Sequence, residues 1–268
     1  MTWTSGFVKS NGNELFFTRT GGSKPPVLLA HGGSDDAGCW LDFVELLEKD
    51  FEVIMYDALG HGNSSRSTKD MKLDLVSDME NVIRELKLRK PAIWGHSLGA
   101  ATTVGYAAKH SDETGLIILE DVPWFDDPKY DIRDREKSYT IQGLQEGTLL
   151  DAIELSKRAH PRHMDSIHER WALSKMKFDV GFSMHDLQSM IYVNWEELAS
   201  KIKCPTLILT ADNDLGAIVS PEVAVKALSI LPDAQWNYFP GAGHTIRYEQ
   251  PKLVMGVVLN FLKHHFSK

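Results

Sequence analysis

Two hydrophobic rhythms alternate along this chain of 268 residues, and their alternation restricts the fold more than any other feature. Short, continuously apolar runs such as Val27-Leu28-Leu29-Ala30, Leu116-Ile117-Ile118-Leu119 and Leu207-Ile208-Leu209 are separated by longer segments with helical spacing. A strand that is apolar at every position, rather than at every second one, has to be covered on both faces. That condition is met in a mostly parallel sheet flanked by crossover helices, the α/β class. The pattern predicts strands over 27–30, 52–56, 91–94, 116–119, 204–209 and 235–239, with helices over 39–49, 73–88, 100–110, 221–231 and 251–263. Only the start departs from it: residues 6–9 and 14–19 flank Asn11-Gly12-Asn13, a turn suited to left-handed backbone, so an antiparallel hairpin is expected first.

The rhythm stops at Val122-Pro123 and resumes near residue 200. Between them, helical windows at 149–159, 166–176 and 186–198 occur without any strand-like run, which predicts a core made of residues 1–122 and 200–268 with a helical cap over 123–199. A net charge of −8 would repel polyanions, so neither a nucleic acid nor an anionic membrane is an expected partner. The N-terminus lacks a basic stretch followed by a sustained apolar one, so no secretory signal or anchor is read there and a cytoplasmic location is expected. Cys39 and Cys204 stand alone, without the spacing of a disulfide framework. Self-association into a homo-oligomer is left open.

Chemistry is concentrated in Trp94-Gly95-His96-Ser97-Leu98-Gly99. A serine at a sharp strand-to-helix turn stands exposed above the sheet, and crowding at such a turn requires small residues two positions away on either side, here Gly95 and Gly99. The helix that follows directs its first amides, that of Leu98 foremost, at the space beside the hydroxyl, where a developing oxyanion would sit.

With this motif in its strand-turn-helix context, the chain resembles the α/β-hydrolase fold proteins with a serine nucleophile. The resemblance extends in order through His31-Gly32-Gly33, the segment from Asp57 to Ser64, Gly95-His96-Ser97-Leu98-Gly99, Asp212-Asn213-Asp214 and Gly241-Ala242-Gly243-His244, spanning nearly the whole chain. It implies Ser97 as nucleophile and His244 as its base. It implies Asp214 as the acid that orients His244, with Asp212, Glu120 and Asp121 as alternatives; Asp212 could instead hold its own turn. It also implies the amides of Gly33 and Leu98 as the oxyanion hole. Ser34 could add a hydroxyl to the pocket, and Trp124 and Trp195 are candidate pocket residues from the cap, although core packing is the plainer role for any aromatic there. Asp57 and His61 are read as a scaffold turn rather than a second acid–base pair.

His160, His163, His168 and His185 do not have the spacing of a zinc site, so no metal is expected. Neither GxGxxG nor GxxxxGK[ST] occurs, so no cofactor is expected. The expectation is a cofactor-independent hydrolase acting on a small-molecule acyl substrate, carboxylesterase-like, through an acyl-enzyme. Lactonase, thioesterase and C–C bond hydrolase chemistries would use the same residues, and a ligand receptor of low turnover would keep the same fold.

Overall fold

The computed structural model describes residues 3–67, 73–125, 140–180 and 193–266. Eight strands form one sheet: β1 (Thr4–Ser10), β2 (Asn13–Arg19), β3 (Pro26–Ala30), β4 (Glu52–Tyr56), β5 (Ala92–His96), β6 (Leu116–Glu120), β7 (Thr206–Ala211) and β8 (Ala234–Phe239). Their order is β1-β2-β4-β3-β5-β6-β7-β8. The hairpin β1–β2 joins β4 antiparallel, and every later pairing is parallel. Ten helices accompany them among the described residues: α1 (Leu41–Leu47), α2 (Leu75–Glu85), α3 (Leu98–Lys109), α4 (Ile141–Glu146), α5 (Leu149–Ala159), α6 (Ile167–Lys177), α7 (Trp195–Ala199), α8 (Pro221–Ile230), α9 (Ile246–Glu249) and α10 (Pro251–Phe266).

The uninterrupted apolar strands divide their side chains between two cores. Leu28, Ile54, Ile93, Ile117 and Ile208 pack on one face, against α2, α3 and α8 through Met79, Val104 and Ala224. Their neighbours Leu29, Val53, Trp94, Ile118 and Leu207 pack on the other, against α1 and α10 through Phe43 and Val258. Each aliphatic side chain so buried stabilises the fold by about 1.5–3 kcal/mol relative to exposure, so both faces have to be covered for the strands to persist.

Of the boundaries that differ from the pattern, two have plain local reasons. Residues 37–40 form a 3₁₀ turn capped by Asp36, which accepts the Gly38 amide at 2.9 Å, so α1 starts only at Leu41. α3 starts at Leu98, immediately after the serine, because the chain turns within that one residue. Helices α4 to α7 follow β6 and precede β7, in the stretch expected to be a cap; residues 126–139 and 181–192 of that stretch, with His185 and most of the 186–198 window, lie outside the described residues. No helix among the described residues is long and apolar enough to cross a membrane.

Candidate active site

Ser97 stands between β5 and α3 with φ 50° and ψ −115°. For a residue with a Cβ this is a strained conformation, costing about 1–3 kcal/mol, and it persists only where the surroundings impose it. They do so by close approach. A Cβ on Gly95 would lie 2.4 Å from the Gly99 carbonyl oxygen, and one on Gly99 would lie 2.2 Å from that of Ala30. The two glycines therefore let α3 press against β3 and β5 tightly enough to hold the turn.

His244 is carried by the loop between β8 and α9. Its Nε2 lies 3.0 Å from Ser97 Oγ, and its Nδ1 lies 2.5 Å from Asp121 Oδ2. His96 steadies the loop from below, its Nε2 2.9 Å from the His244 carbonyl and its ring 4.8 Å from that of His244. Burial, then the nearby Arg247 and His244, hold the His96 imidazole well below its ordinary range. It is neutral, and Nε2–H donates.

The carboxylate that meets His244 is that of Asp121, not Asp214, and this corrects the choice that the resemblance implied in favour of one of its alternatives. Asp121 follows β6 directly, has φ 43°, and its side chain is fully buried. Besides the imidazole it accepts the Ile218 amide at 2.9 Å and the Val219 amide at 3.1 Å, so its negative charge is hydrogen-bonded rather than stranded. Asp214 is exposed in the 3₁₀ turn Asn213–Leu215. After β7 the chain folds back on Asp212, whose carbonyl accepts the amides of Leu215 and Ala217, and it presents the next two amides to Asp121. The loop expected to supply the acid supplies donors to Asp121 instead. Asp212 holds the His244 loop, accepting from the Tyr238 hydroxyl and, at 2.7 Å, from the Gly241 amide. Glu120, one residue before Asp121, accepts the Arg247 amide at 2.9 Å and its guanidinium at 3.1 Å.

The loop after β3 comes close to the serine at Gly32, where an added Cβ would lie 3.5 Å from that of Ser97. A Cβ on Gly33 would meet nothing within 4 Å, so the space beside it is open, and Leu98 as the first residue of α3 has an amide without an intrahelical acceptor. Both sequence candidates for holding an oxyanion thus border the serine turn or the open side of this loop. Ser34 enters through its backbone: with φ 61°, it donates its amide to His61 Nε2 at 3.2 Å. His61 donates Nδ1–H to the Leu59 carbonyl at 2.8 Å, and burial pushes its pKa down to about 3, so it is a neutral brace. The Asp57 carboxylate accepts the amides of Ala37 and Asn63 at 2.7 and 2.8 Å, which makes it a turn residue as well.

Trp124 and Trp195 stack at 4.7 Å between ring centres and are buried with α3 in the first core. Trp124 also lines a cavity of about 160 Å³ with Leu73, Ala101, Val104 and Leu198; Ala101 lies one helical turn beyond Ser97. Trp195 is core beneath it. Of the histidines between β6 and β7, His163 bonds the Thr245 hydroxyl at 2.7 Å and His168 bonds that of Ser156 at 2.9 Å. Among the described residues no group of three or more His, Cys, Asp or Glu is arranged to hold a metal. Two site residues, Asp35 and Lys175, carried no motif signal at all; they meet across 140 positions of sequence.

Fold and site together define a class in which a serine, a histidine and a carboxylate converge above a parallel sheet. The chain belongs to the alpha/beta hydrolase family, whose model matches residues 27–257. It is 24% identical over 272 residues to 2-hydroxy-6-oxo-6-(2'-aminophenyl)hexa-2,4-dienoic acid hydrolase of Metapseudomonas resinovorans, covering 96% of this chain and 90% of that protein. It is 23% identical over 257 residues to 2-(acetamidomethylene)succinate hydrolase of Mesorhizobium japonicum, covering 91% of this chain and 90% of that one. Among solved structures, an esterase from Thermogutta terrifontis superimposes with a TM-score of 0.75 at 24% identity, over 98% of this chain and 99% of that one, which shows the shared fold. Family and relatives together support a hydrolase function.

Proposed function

We propose that the protein is a serine hydrolase that cleaves a carboxylic ester through an acyl-enzyme, with Ser97 as nucleophile, His244 as general base and acid, and Asp121 as the orienting carboxylate. The observation that carries this reading is the continuous relay from Ser97 Oγ to His244 Nε2 at 3.0 Å and from His244 Nδ1 to Asp121 at 2.5 Å. Asp121 holds the proton on Nδ1, which leaves Nε2 free to take the proton of Ser97 as its oxygen attacks the carbonyl. The amides of Leu98 and Gly33 hold the resulting oxyanion. His244 then gives its proton to the leaving alcohol, activates a water against the acyl-enzyme, and returns the proton to Ser97 when the acid departs. Helices α4 to α7, within the stretch 123–199, are read as part of a cap over this site.

A second reading, hydrolysis of a C–C bond, is supported by the near full-length likeness to the Metapseudomonas resinovorans dienoic acid hydrolase. The same relay would serve it.

The test is p-nitrophenyl butyrate hydrolysis by the wild type and by Ser97→Ala, alongside a panel of lactones, thioesters and a 2-hydroxy-6-oxohexadienoic acid, compared as kcat/KM. A burst of p-nitrophenol, a fluorophosphonate adduct on Ser97, and a loss of about 10⁴-fold or more in kcat for Ser97→Ala are expected. A folded wild type that turns over none of the panel and forms no adduct would refute the hydrolase reading. A dienoic acid preferred over every ester by more than tenfold would favour C–C cleavage.

A further inference from the structure

Lys175 is the last-turn residue of α6 that reaches from the helices between β6 and β7 down to the loop beside Ser97. Its side chain is only 3% exposed. An ammonium group taken so far from water has to be matched by acceptors. It has them in Asp35 Oδ1 at 2.7 Å, the Ser34 carbonyl at 2.9 Å and Ser174 Oγ at 3.3 Å, and it lies 4.9 Å from the Trp171 ring. The second Asp35 oxygen accepts the Tyr248 hydroxyl at 3.1 Å, and that hydroxyl accepts from Arg247, which in turn pairs with Glu120 beside Asp121. A buried polar chain therefore runs under the site from α6 to the end of β6. Burial opposes ionisation of Asp35, but Lys175 and Arg247 outweigh it and hold the carboxyl well below its ordinary range, so the contact is a true ion pair.

What the pair holds is a strained turn. The Asp35 amide donates to the Gly32 carbonyl at 3.2 Å, which closes a turn with Gly33 and Ser34 at its centre. Ser34 takes φ 61° at the third position, where such a turn favours glycine. It stays there because it is gripped at both ends, its amide by His61 and its carbonyl by Lys175. The second grip fixes the Ser34–Asp35 peptide, whose N–H in turn holds the Gly32 carbonyl; once released, that peptide can rotate and drop the Gly32 carbonyl, which frees the Gly32–Gly33 peptide that carries the Gly33 amide.

We propose that Lys175 is a positioning residue which, by holding the Ser34 carbonyl and Asp35, locks the Gly33 amide in place and makes assembly of the oxyanion hole depend on the seating of α6. This rests on the serine-hydrolase reading for its catalytic consequence, but its structural part stands on the loop alone.

The test is the pair variant Lys175→Met with Asp35→Asn, which removes both charges so that neither is left buried alone. A fall of about 10- to 100-fold in kcat on p-nitrophenyl butyrate with KM within threefold is expected, a partial version of losing an oxyanion donor. Affinity for a butyl boronic acid, a tetrahedral mimic, should fall in parallel, and amide hydrogen exchange over residues 32–36 should quicken. Asp35→Asn alone, which keeps the Lys175 to Ser34 bond, should lose less than fivefold in kcat. If the pair variant does not fold, Lys175→Gln with Asp35→Asn is read in its place, because glutamine ends one bond short of the Ser34 carbonyl. A folded pair variant with wild-type kcat, or with unchanged exchange over residues 32–36, overturns the proposal. Absence of ester turnover in the wild type would count against the hydrolase reading alone, since the exchange measurement still decides whether Lys175 holds the loop.

Discussion

Asp121→Asn puts the identity of the acid to a decisive test, because the substitution changes no shape and reverses one hydrogen bond. Asp121 Oδ1 accepts the amides of Ile218 and Val219 at 3.0 and 3.1 Å, and the Ile218 amide is shared with Oδ2 at 2.9 Å, so the asparagine keeps both donors only by turning its carbonyl oxygen to the Oδ1 position, losing the Ile218 bond at Oδ2. Its NH₂ then occupies the position of Oδ2, 2.5 Å from His244 Nδ1 in the wild type, and donates to the imidazole. His244 is forced into the tautomer with its proton on Nε2, facing a serine hydroxyl whose proton it can no longer accept. By analogy with the same exchange in other serine triads, kcat should fall by about 10⁴-fold. That corresponds to about 5 kcal/mol of barrier. Asp214→Asn, at an exposed turn, should change kcat by no more than about twofold, the scale of an ordinary surface substitution. Both variants are to be assayed on p-nitrophenyl butyrate, with thermal melts to confirm folding. If Asp121→Asn kept more than a tenth of wild-type kcat while Asp214→Asn lost 10³-fold, the argument from hydrogen-bond geometry would be wrong.

Two further outcomes follow from packing and charge. Gly99→Ala drives a methyl group to 2.2 Å from the Ala30 carbonyl oxygen, a backbone atom that cannot swing aside, so a loss of about 3 kcal/mol or more of unfolding free energy is expected in urea titration; a loss below 1 kcal/mol would mean that α3 and β3 are not in such contact. Asp78, buried under the β1–β2 hairpin against Ser10, has its carboxyl pushed up to about 6 by burial. The folded state therefore binds more protons than the unfolded one between about pH 4 and 6, and stability falls as pH rises through that window. Asp78→Asn should be more stable than wild type by about 2 kcal/mol at pH 7, with the difference gone at pH 4; a difference independent of pH would exclude the carboxyl as its source.

Local chemistry explains why some of this was legible along the chain and some was not. The parallel sheet could be read because strands such as Leu116–Glu120 and Thr206–Ala211 are apolar at successive positions, and no other architecture covers both faces of several such strands. Ser97 could be read because its turn forces glycines at fixed offsets, so a steric requirement of the tertiary structure is written within five residues. Trp124 and Trp195 could not be sorted between core and pocket, since an aromatic in a helical segment looks the same in either place until its neighbours are known. They proved to stack on each other.

By itself the sequence determined the α/β layering and singled out Ser97 and His244, because each depends on short-range sterics or on a loop of recognisable composition. The tertiary structure alone decided which carboxylate meets His244 and brought Lys175 to Asp35. Glu120, Asp121, Asp212 and Asp214 all sit at or just beyond the same ends of the neighbouring strands β6 and β7, and none is marked by its local sequence. The choice fell to the backbone at Asp121, whose φ of 43° aims the carboxylate at His244, and to the amides of Ile218 and Val219, which satisfy its charge there. Lys175 and Asp35 are likewise ordinary charged residues along the chain, and only burial turns them into a pair that has to exist.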